Sequence, residues 1–316
     1  MNQLVLFGLL SLLVVVNSQQ PTQLSLFYHN YTLDSFAILT YNIENGNKIG
    51  NTQIANILPV NALNSVLKTD SNGNYYILAE IDSWNSSYAI YCISPEGTFI
   101  NATTTVQEGV ADSAIFTGYG YDSDENIVMI VSQNPDYLLP VLSVFDFNTP
   151  SNSYLVNVSE SFDGTPVGAY DPVTKNYYVF DQGYLLTYNI ESKELLEPVY
   201  LNNFEQAFIN TFMIVYNQQL YIVGEYPGPL FIIYLVDISS GSIKQVFETA
   251  DFLPQSDGEF FWQSSNYLVM ITQSKLFVDP IFITLDLNTM TVVSNTSIVD
   301  FPFTYGSTTY IPGWTY

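Results

Sequence analysis

Residues 208–247 read FINTFMIVYNQQLYIVGEYPGPLFIIYLVDISSGSIKQVF. Four runs rich in Phe, Tyr, Ile and Val are separated by Asn-Gln-Gln, by Pro-Gly-Pro and by Ser-Ser-Gly. Short β-branched and aromatic runs bounded by turn residues are the signature of strands. The reading predicts strands at Phe208–Tyr216, Leu220–Glu225, Phe231–Ile238 and Ser242–Phe247. No amphipathic pattern of helical period competes with it.

Two features of this stretch recur along the chain. The third run ends in an apolar residue, an Asx and another apolar residue, as Val236-Asp237-Ile238. The same triplet stands at Tyr41-Asn42-Ile43, Phe145-Asp146-Phe147, Tyr188-Asn189-Ile190 and Leu285-Asp286-Leu287, and Ile93-Ser94-Pro95 fills the gap after the first. Successive spacings are 52, 52, 43, 48 and 49 residues. The second run starts at Gln219 here and at Asn74, Asn126, Asn176 and Asn266 elsewhere, keeping a matching period. A period of about 40–50 residues carrying four strands is that of a β-propeller blade.

Six such units fill residues 19–316, which predicts an all-β six-bladed propeller in a single domain. The first unit lacks its innermost strand, since Leu24–Tyr28 begins at the second. The last leaves Ser307–Pro312 over. That surplus strand is expected to pair beside Leu24–Tyr28 and close the ring, removing an open sheet edge. The Val236-Asp237-Ile238-Ser-Ser-Gly241-Ser-Ile243 element resembles the strand-turn-strand repeat of YVTN and quinoprotein-type propellers. The resemblance covers about eight residues per unit and implies the fold alone. Asn189-Ile-Glu-Ser-Lys193 and Asp286-Leu-Asn-Thr-Met290 keep the Asx and lose the Gly.

Around this repeat, composition narrows the function. The 316 residues include six Lys, no Arg and 30 acidic residues, for a net charge of −24. Such a chain repels nucleic acid, whose binding depends on neutralising phosphates with Lys and Arg. It also rules out the arginine-based carboxylate recognition of sialidase-type propellers. Residues 1–18 read as a signal peptide. Leu4–Val16 is an apolar run too short to span a bilayer, and Ser18 suits the cleavage site. No later run is long enough for a membrane span, so the expectation is secretion.

Glycosylation sequons stand at Asn30, Asn85, Asn101, Asn157 and Asn295. Asn101, Asn157 and Asn295 fall on or beside predicted fourth strands, the outermost ones, where a glycan would block edge pairing. Cys92 is the only cysteine, so no internal disulfide can form and stability must come from packing. Its place on a strand implies an inert thiol.

Candidate chemistry gathers at the ends of the second strands, which read His29, Glu80, Gln133, Gln182, Glu225 and Gln273. The loops entering the first strands open on the same side and add Asp257 and Glu259, among other acids. Oxygen donors of this kind suit calcium and not transition metals. His29 is the sole histidine, which argues against zinc sites and against a Ser-His-Asp triad. Asp70-Ser-Asn72-Gly-Asn74 and Asp122-Ser-Asp124-Glu-Asn126 match the first half of a calcium loop but lack its later Gly and Glu. Hairpin turns want the same residues.

Two functions fit. One is a non-catalytic module that binds a protein or carbohydrate ligand, without nucleic acid and without a required cofactor. The alternative resembles the six-bladed lactonases and gluconolactonases. That resemblance implies a calcium ion held by channel carboxylates, here Glu80, Glu225 and Asp257, to polarise a carbonyl.

Overall fold

The computed structural model describes residues 20–30, 35–54, 64–70, 72–82, 87–106, 118–122, 124–133, 140–149, 153–158, 167–181, 183–202, 204, 211–226, 230–251, 260–264, 266–274, 278–301 and 311–313. These residues contain strands and turns and no helix. They run as six antiparallel meanders. The first is β1 (Gln23–Asn30), β2 (Ser35–Asn42) and β3 (Lys48–Gln53); the second is β4 (Asn64–Thr69), β5 (Tyr75–Asp82), β6 (Ser87–Ile93) and β7 (Phe99–Val106). The third is β8 (Gly118–Asp122), β9 (Ile127–Gln133), β10 (Pro140–Asp146) and β11 (Tyr154–Asn157). In the fourth, β12 (Val167–Asp171), β13 (Asn176–Asp181) and β14 (Tyr184–Asn189) are followed by two stubs, β15 (Glu194–Leu195) and β16 (Val199–Tyr200). The fifth holds β17 (Thr211–Tyr216), β18 (Gln219–Tyr226), β19 (Leu230–Asp237) and β20 (Ser242–Thr249); the sixth holds β21 (Phe260–Ser264), β22 (Tyr267–Ser274), β23 (Val278–Asp286) and β24 (Thr291–Ser297).

The last described strand, β25 (Ile311–Gly313), returns to the first meander. It pairs antiparallel with β1, Ser25 opposite Gly313 and Phe27 opposite Ile311. Four meanders are separate four-stranded sheets. The third and fourth share one sheet, because β8 and β12 pair in parallel through Gly118–Gly168 and Tyr119–Ala169. Gly120 permits this approach, since a Cβ there would lie 2.4 Å from the Tyr170 Cβ, while Gly168 leaves room for the Tyr177 hydroxyl of its own meander, 2.3 Å from where its Cβ would stand.

The recurrent Asx residue has a local cause. Its side-chain oxygen accepts the N–H groups two or three residues on, closing the turn into the fourth strand. Asn42 accepts from Glu44 and Asn45, Asp146 from Asn148 and Thr149, Asn189 from Ser192, and Asp286 from Asn288. Four residues after the Asx the chain turns left-handed, whether the residue is Gly46, Lys193, Gly241 or Met290. The turn rests on the outer strand of the preceding meander. A Cβ on Gly46 would lie 1.7 Å from the Ser297 carbonyl oxygen, and one on Gly241 2.1 Å from that of Tyr200.

The apolar residues flanking the Asx fill the cores between meanders. Ile93 packs with Phe36, Ile38 and Ile77 between the first and second. Phe145 and Phe147 join Ile90 and Ile130 between the second and third. Tyr188 and Ile190 meet Val131 and Leu142 between the third and fourth. Val236 and Ile238 meet Val167 and Phe180 between the fourth and fifth, and Leu285 and Leu287 meet Val223 and Ile233 between the fifth and sixth. Tyr41 and Ile43 pack with Val269, Ile271 and Phe282, which joins the sixth meander to the first. Inner strands such as β2, β12 and β19 bury consecutive residues and so both faces, and strict apolar–polar alternation is absent from them.

Candidate functional site

In the second, third, fifth and sixth meanders the second strand carries the expected polar residue at its far end. Glu80 pairs with Tyr88, Gln133 with Pro140, Glu225 with Phe231 and Gln273 with Pro280. All four positions therefore adjoin the hairpin leading to the third strand. His29, opposite Phe36 in β1, holds the equivalent place. Gln182, Asp257 and Glu259 lie outside the described residues, as do residues 1–18 and Asn85. Among the described residues no group of three or more His, Cys, Asp or Glu side chains is arranged to hold a metal ion.

The opposite ends of the meanders hold the two calcium-like turns, and there the carboxylates have other partners. Asp70 Oδ1 accepts the N–H groups of Asn72 and Asn74, while Oδ2 accepts from the Asn74 amide and the Tyr76 hydroxyl. Burial opposes ionisation of Asp70, yet the bonds from Asn74, Asn72 and Tyr76 outweigh it and lower the carboxyl's pKa. This is a self-contained Asx turn.

Asp122 is more deeply placed. Its Oδ1 accepts the N–H groups of Asp124 and Glu125. Oδ2 accepts from the Tyr170 hydroxyl at 2.5 Å and the Lys175 ammonium at 2.6 Å. The Asp122 side chain is 1% exposed and that of Lys175 22%. Desolvation pushes the Asp122 carboxyl up, but the bonds from Lys175, Tyr170 and Glu125 outweigh it and hold the pKa below its ordinary value. Its hydrogen bond to Asp122 raises the Lys175 ammonium against the opposing effect of burial. Burial first, then Asp122, pushes the Tyr170 hydroxyl up. A calcium ion at Asp122 would face the Lys175 charge at contact distance, so this turn is occupied by an intramolecular cation. The ion pair ties the third meander to the fourth. Lys175 and Tyr170 were invisible to spacing arguments, since they join Asp122 from another repeat.

At the rim, Asn101, Asn157 and Asn295 lie in β7, β11 and β24 and are exposed. Each of these strands is the last in the order of its sheet. Asn30 ends β1, which pairs on both sides and is no edge. Cys92 is buried in β6.

No family model matches this chain, and no curated protein matches it in sequence. Among solved structures, it overlaps a candidate 6-phosphogluconolactonase from Bacteroides uniformis at 11% identity, covering 88% of this chain and 97% of that one, with a TM-score of 0.48. A candidate TolB from Agrobacterium tumefaciens is similar at 12% identity over 86% of this chain and 88% of that one, TM-score 0.48. Hydrazine synthase of Kuenenia stuttgartiensis overlaps 58% of this chain at 16% identity and TM-score 0.39, and the overlap spans 49% of that protein's chain. At these scores the likenesses bring no activity to this chain; what it displays by itself is an all-β architecture of small antiparallel sheets.

Proposed function

We propose that the chain is a secreted, acidic, N-glycosylated six-bladed β-propeller that serves as a non-catalytic binding module for a protein or carbohydrate ligand. Support for the ring comes from the succession of cores, each meander packing on the next and the sixth on the first, and from the pairing of β25 with β1. Closing a ring with one blade drawn from both ends of the chain removes edges and ties the termini together.

The observation that carries the non-catalytic reading is how the described aspartates are used. Asp70, Asp122, Asp146, Asp237 and Asp286 each accept hydrogen bonds within their own turns. Carboxylates committed in this way build the scaffold. Exposed Asn101, Asn157 and Asn295 on terminal strands favour the secretory part of the reading.

One observation favours the calcium-dependent hydrolase as a second reading. Gln133, Glu225 and Gln273 stand two positions beyond Val131, Val223 and Ile271, core residues of the interface with the following meander. Strand alternation puts positions two apart in phase, so these three share one register at one end of their sheets.

Expression through a secretory pathway tests the proposal. Medium protein should begin at Gln19, lose mass on enzymatic deglycosylation and melt at one temperature with millimolar calcium or with chelator. Protein confined to the cytosol, or unglycosylated at all three rim sites, would overturn it. A calcium-induced rise in melting temperature that disappears on Glu80→Gln with Glu225→Gln would favour the hydrolase, since a ligand bound to the native state stabilises it.

A further inference from the structure

Resting on the binding-module reading, we propose that the outer seam between the third and fourth meanders is the docking surface, and that its partner is a basic polypeptide with apolar side chains. Register places the apolar residues. Tyr184 and Leu186 stand four and two positions from Tyr188 on β14, and Leu186 and Tyr188 belong to the core shared with the third meander. Leu195 lies opposite Tyr188, and Tyr200 opposite Tyr184. Cross-strand partners share a face, so Tyr184, Leu195 and Tyr200 all project on the side of the third meander. They are nevertheless 50%, 45% and 54% exposed. The two tyrosine rings meet edge to face at 5.2 Å, forming a fixed aromatic platform.

The fourth strand is broken here. Leu196 donates to the Thr187 carbonyl oxygen, and pairing resumes only at Val199 after Pro198. Residues 191–198 are consecutively exposed. A proline at the edge discourages strand addition, so the surface presents side chains and not a backbone ladder.

The exposed sequons lie on other seams. Asn101 is opposite Cys92, itself opposite Tyr76, which packs on the core between the second and third meanders. Asn157 stands two positions beyond Leu155 on β11, a residue of that same core. Asn295 is opposite Ile283, on the seam between the fifth and sixth. Exposed Val292 shares the Asn295 strand, within reach of a glycan there. Tyr184, Leu195 and Tyr200 have no sequon on any of the three strands that bear them.

Charge decides the occupant. Glu191, Glu194 and Glu197 are exposed along this edge, and the neighbouring cation, Lys193, sits over the Tyr154 ring at 4.9 Å. A second copy would bring another −24 against this field, and an acidic glycan would also be repelled. Electrostatic complementarity therefore selects a basic chain, with the tyrosines as anchors for its apolar residues.

Fluorescence anisotropy on the secreted monomer, with dye-labelled decapeptides, tests this. The probes are alternating lysine–leucine, lysine–serine and glutamate–leucine peptides at physiological salt. Tyr184→Ser with Leu195→Ser and Tyr200→Ser leaves the charge unchanged, and a melting curve checks its fold. Lysine–leucine peptide should bind the parent protein and bind this variant at least about tenfold more weakly, the scale on which loss of anchors is felt. A Leu195→Ser variant, which leaves both rings in place, should show an intermediate loss. Lysine–serine peptide should bind parent and variant alike, and glutamate–leucine peptide neither. Equal binding of lysine–leucine peptide to parent and variants would overturn the assignment, as would self-association of the parent that the triple variant abolishes. Such failure in a secreted, glycosylated protein refutes this seam alone; absence of secretion and glycans refutes the parent reading.

Discussion

Replacing Lys175 with Met isolates the one deeply placed ion pair described in the chain. The substitution keeps an unbranched side chain and removes the ammonium that lies 2.6 Å from Asp122. Asp122 keeps the Tyr170 hydroxyl and two N–H donors, but its carboxylate then sits at 1% exposure without a counter-charge. Removing one partner of a buried pair costs about 3–5 kcal/mol. Because Lys175 is partly exposed and three donors remain, the lower figure applies, about 3 kcal/mol at pH 7. For a chain of this size that is a fall in melting temperature of roughly 5 °C. The pH dependence gives the second arm. The folded pKa of Asp122 lies below its unfolded value, so its contribution is present above about pH 4 and is lost as pH falls through the folded value. Lys175 is raised, so its contribution holds below about pH 10 and is lost as pH climbs through the raised value. Thermal melts of parent and variant should thus differ fully between these limits, and the difference should shrink as pH falls below about 4. A difference under about 1 kcal/mol at pH 7, the worth of a surface pair, or a difference that does not shrink with acidification below about pH 4, would refute the reasoning.

Gly241→Ala should destabilise by at least about 2 kcal/mol in denaturant melts, since a left-handed alanine is strained and its Cβ would strike the Tyr200 carbonyl oxygen. Gly183→Ala, also left-handed at φ +87° but with a Cβ that would meet only Tyr200 Cε2 at 3.5 Å, should cost less, about 1–2 kcal/mol. In the two-residue turn between Tyr216 and Gln219, Asn217 and Gln218 both have positive φ, the geometry that favours Asn-Gly. Gln218→Gly should therefore raise stability by about 0.5–1 kcal/mol by the same melts. Asp237, bonded by Ser239 and Ser240, should titrate at about 2 by carboxyl NMR, and Ser239→Ala with Ser240→Ala should move it up toward the ordinary range.

The repeat was legible because one residue type does one job in it. An Asx, or Ser94 in the second repeat, closes each third-strand turn, and the apolar residues beside it enter an interface core, so Tyr41-Asn42-Ile43 and Leu285-Asp286-Leu287 mark the period for physical reasons. In the fifth repeat, Phe231–Ile238 and Ser242–Phe247 fall within a residue or two of β19 and β20. Loss of Gly at Lys193 and Met290 hid the left-handed turn, because the pattern tracks residue types and not φ. The parallel joint of β8 with β12 and the Asp122–Tyr170–Lys175 contact were illegible, since both join residues from different repeats. Two stubs around Pro198 replace the single outer strand the period implies: proline has no N–H to give the ladder. Of the candidate site, only the strand-end positions could be read, from turn spacing. The phase of Glu80 with Asp257 depends on loops that obey no period.

Closure is the central claim, and a disulfide between the two ends of the chain measures it. Ser25 and Gly313 are direct cross-strand partners, at the Cα separation a disulfide requires. With Cys92 replaced by alanine, cysteines at positions 25 and 313 should oxidise within the monomer. Proteolysis should then leave the N-terminal and C-terminal peptides joined until reductant is added. A monomer that stays reduced, or disulfides found only between molecules, would contradict the closed ring.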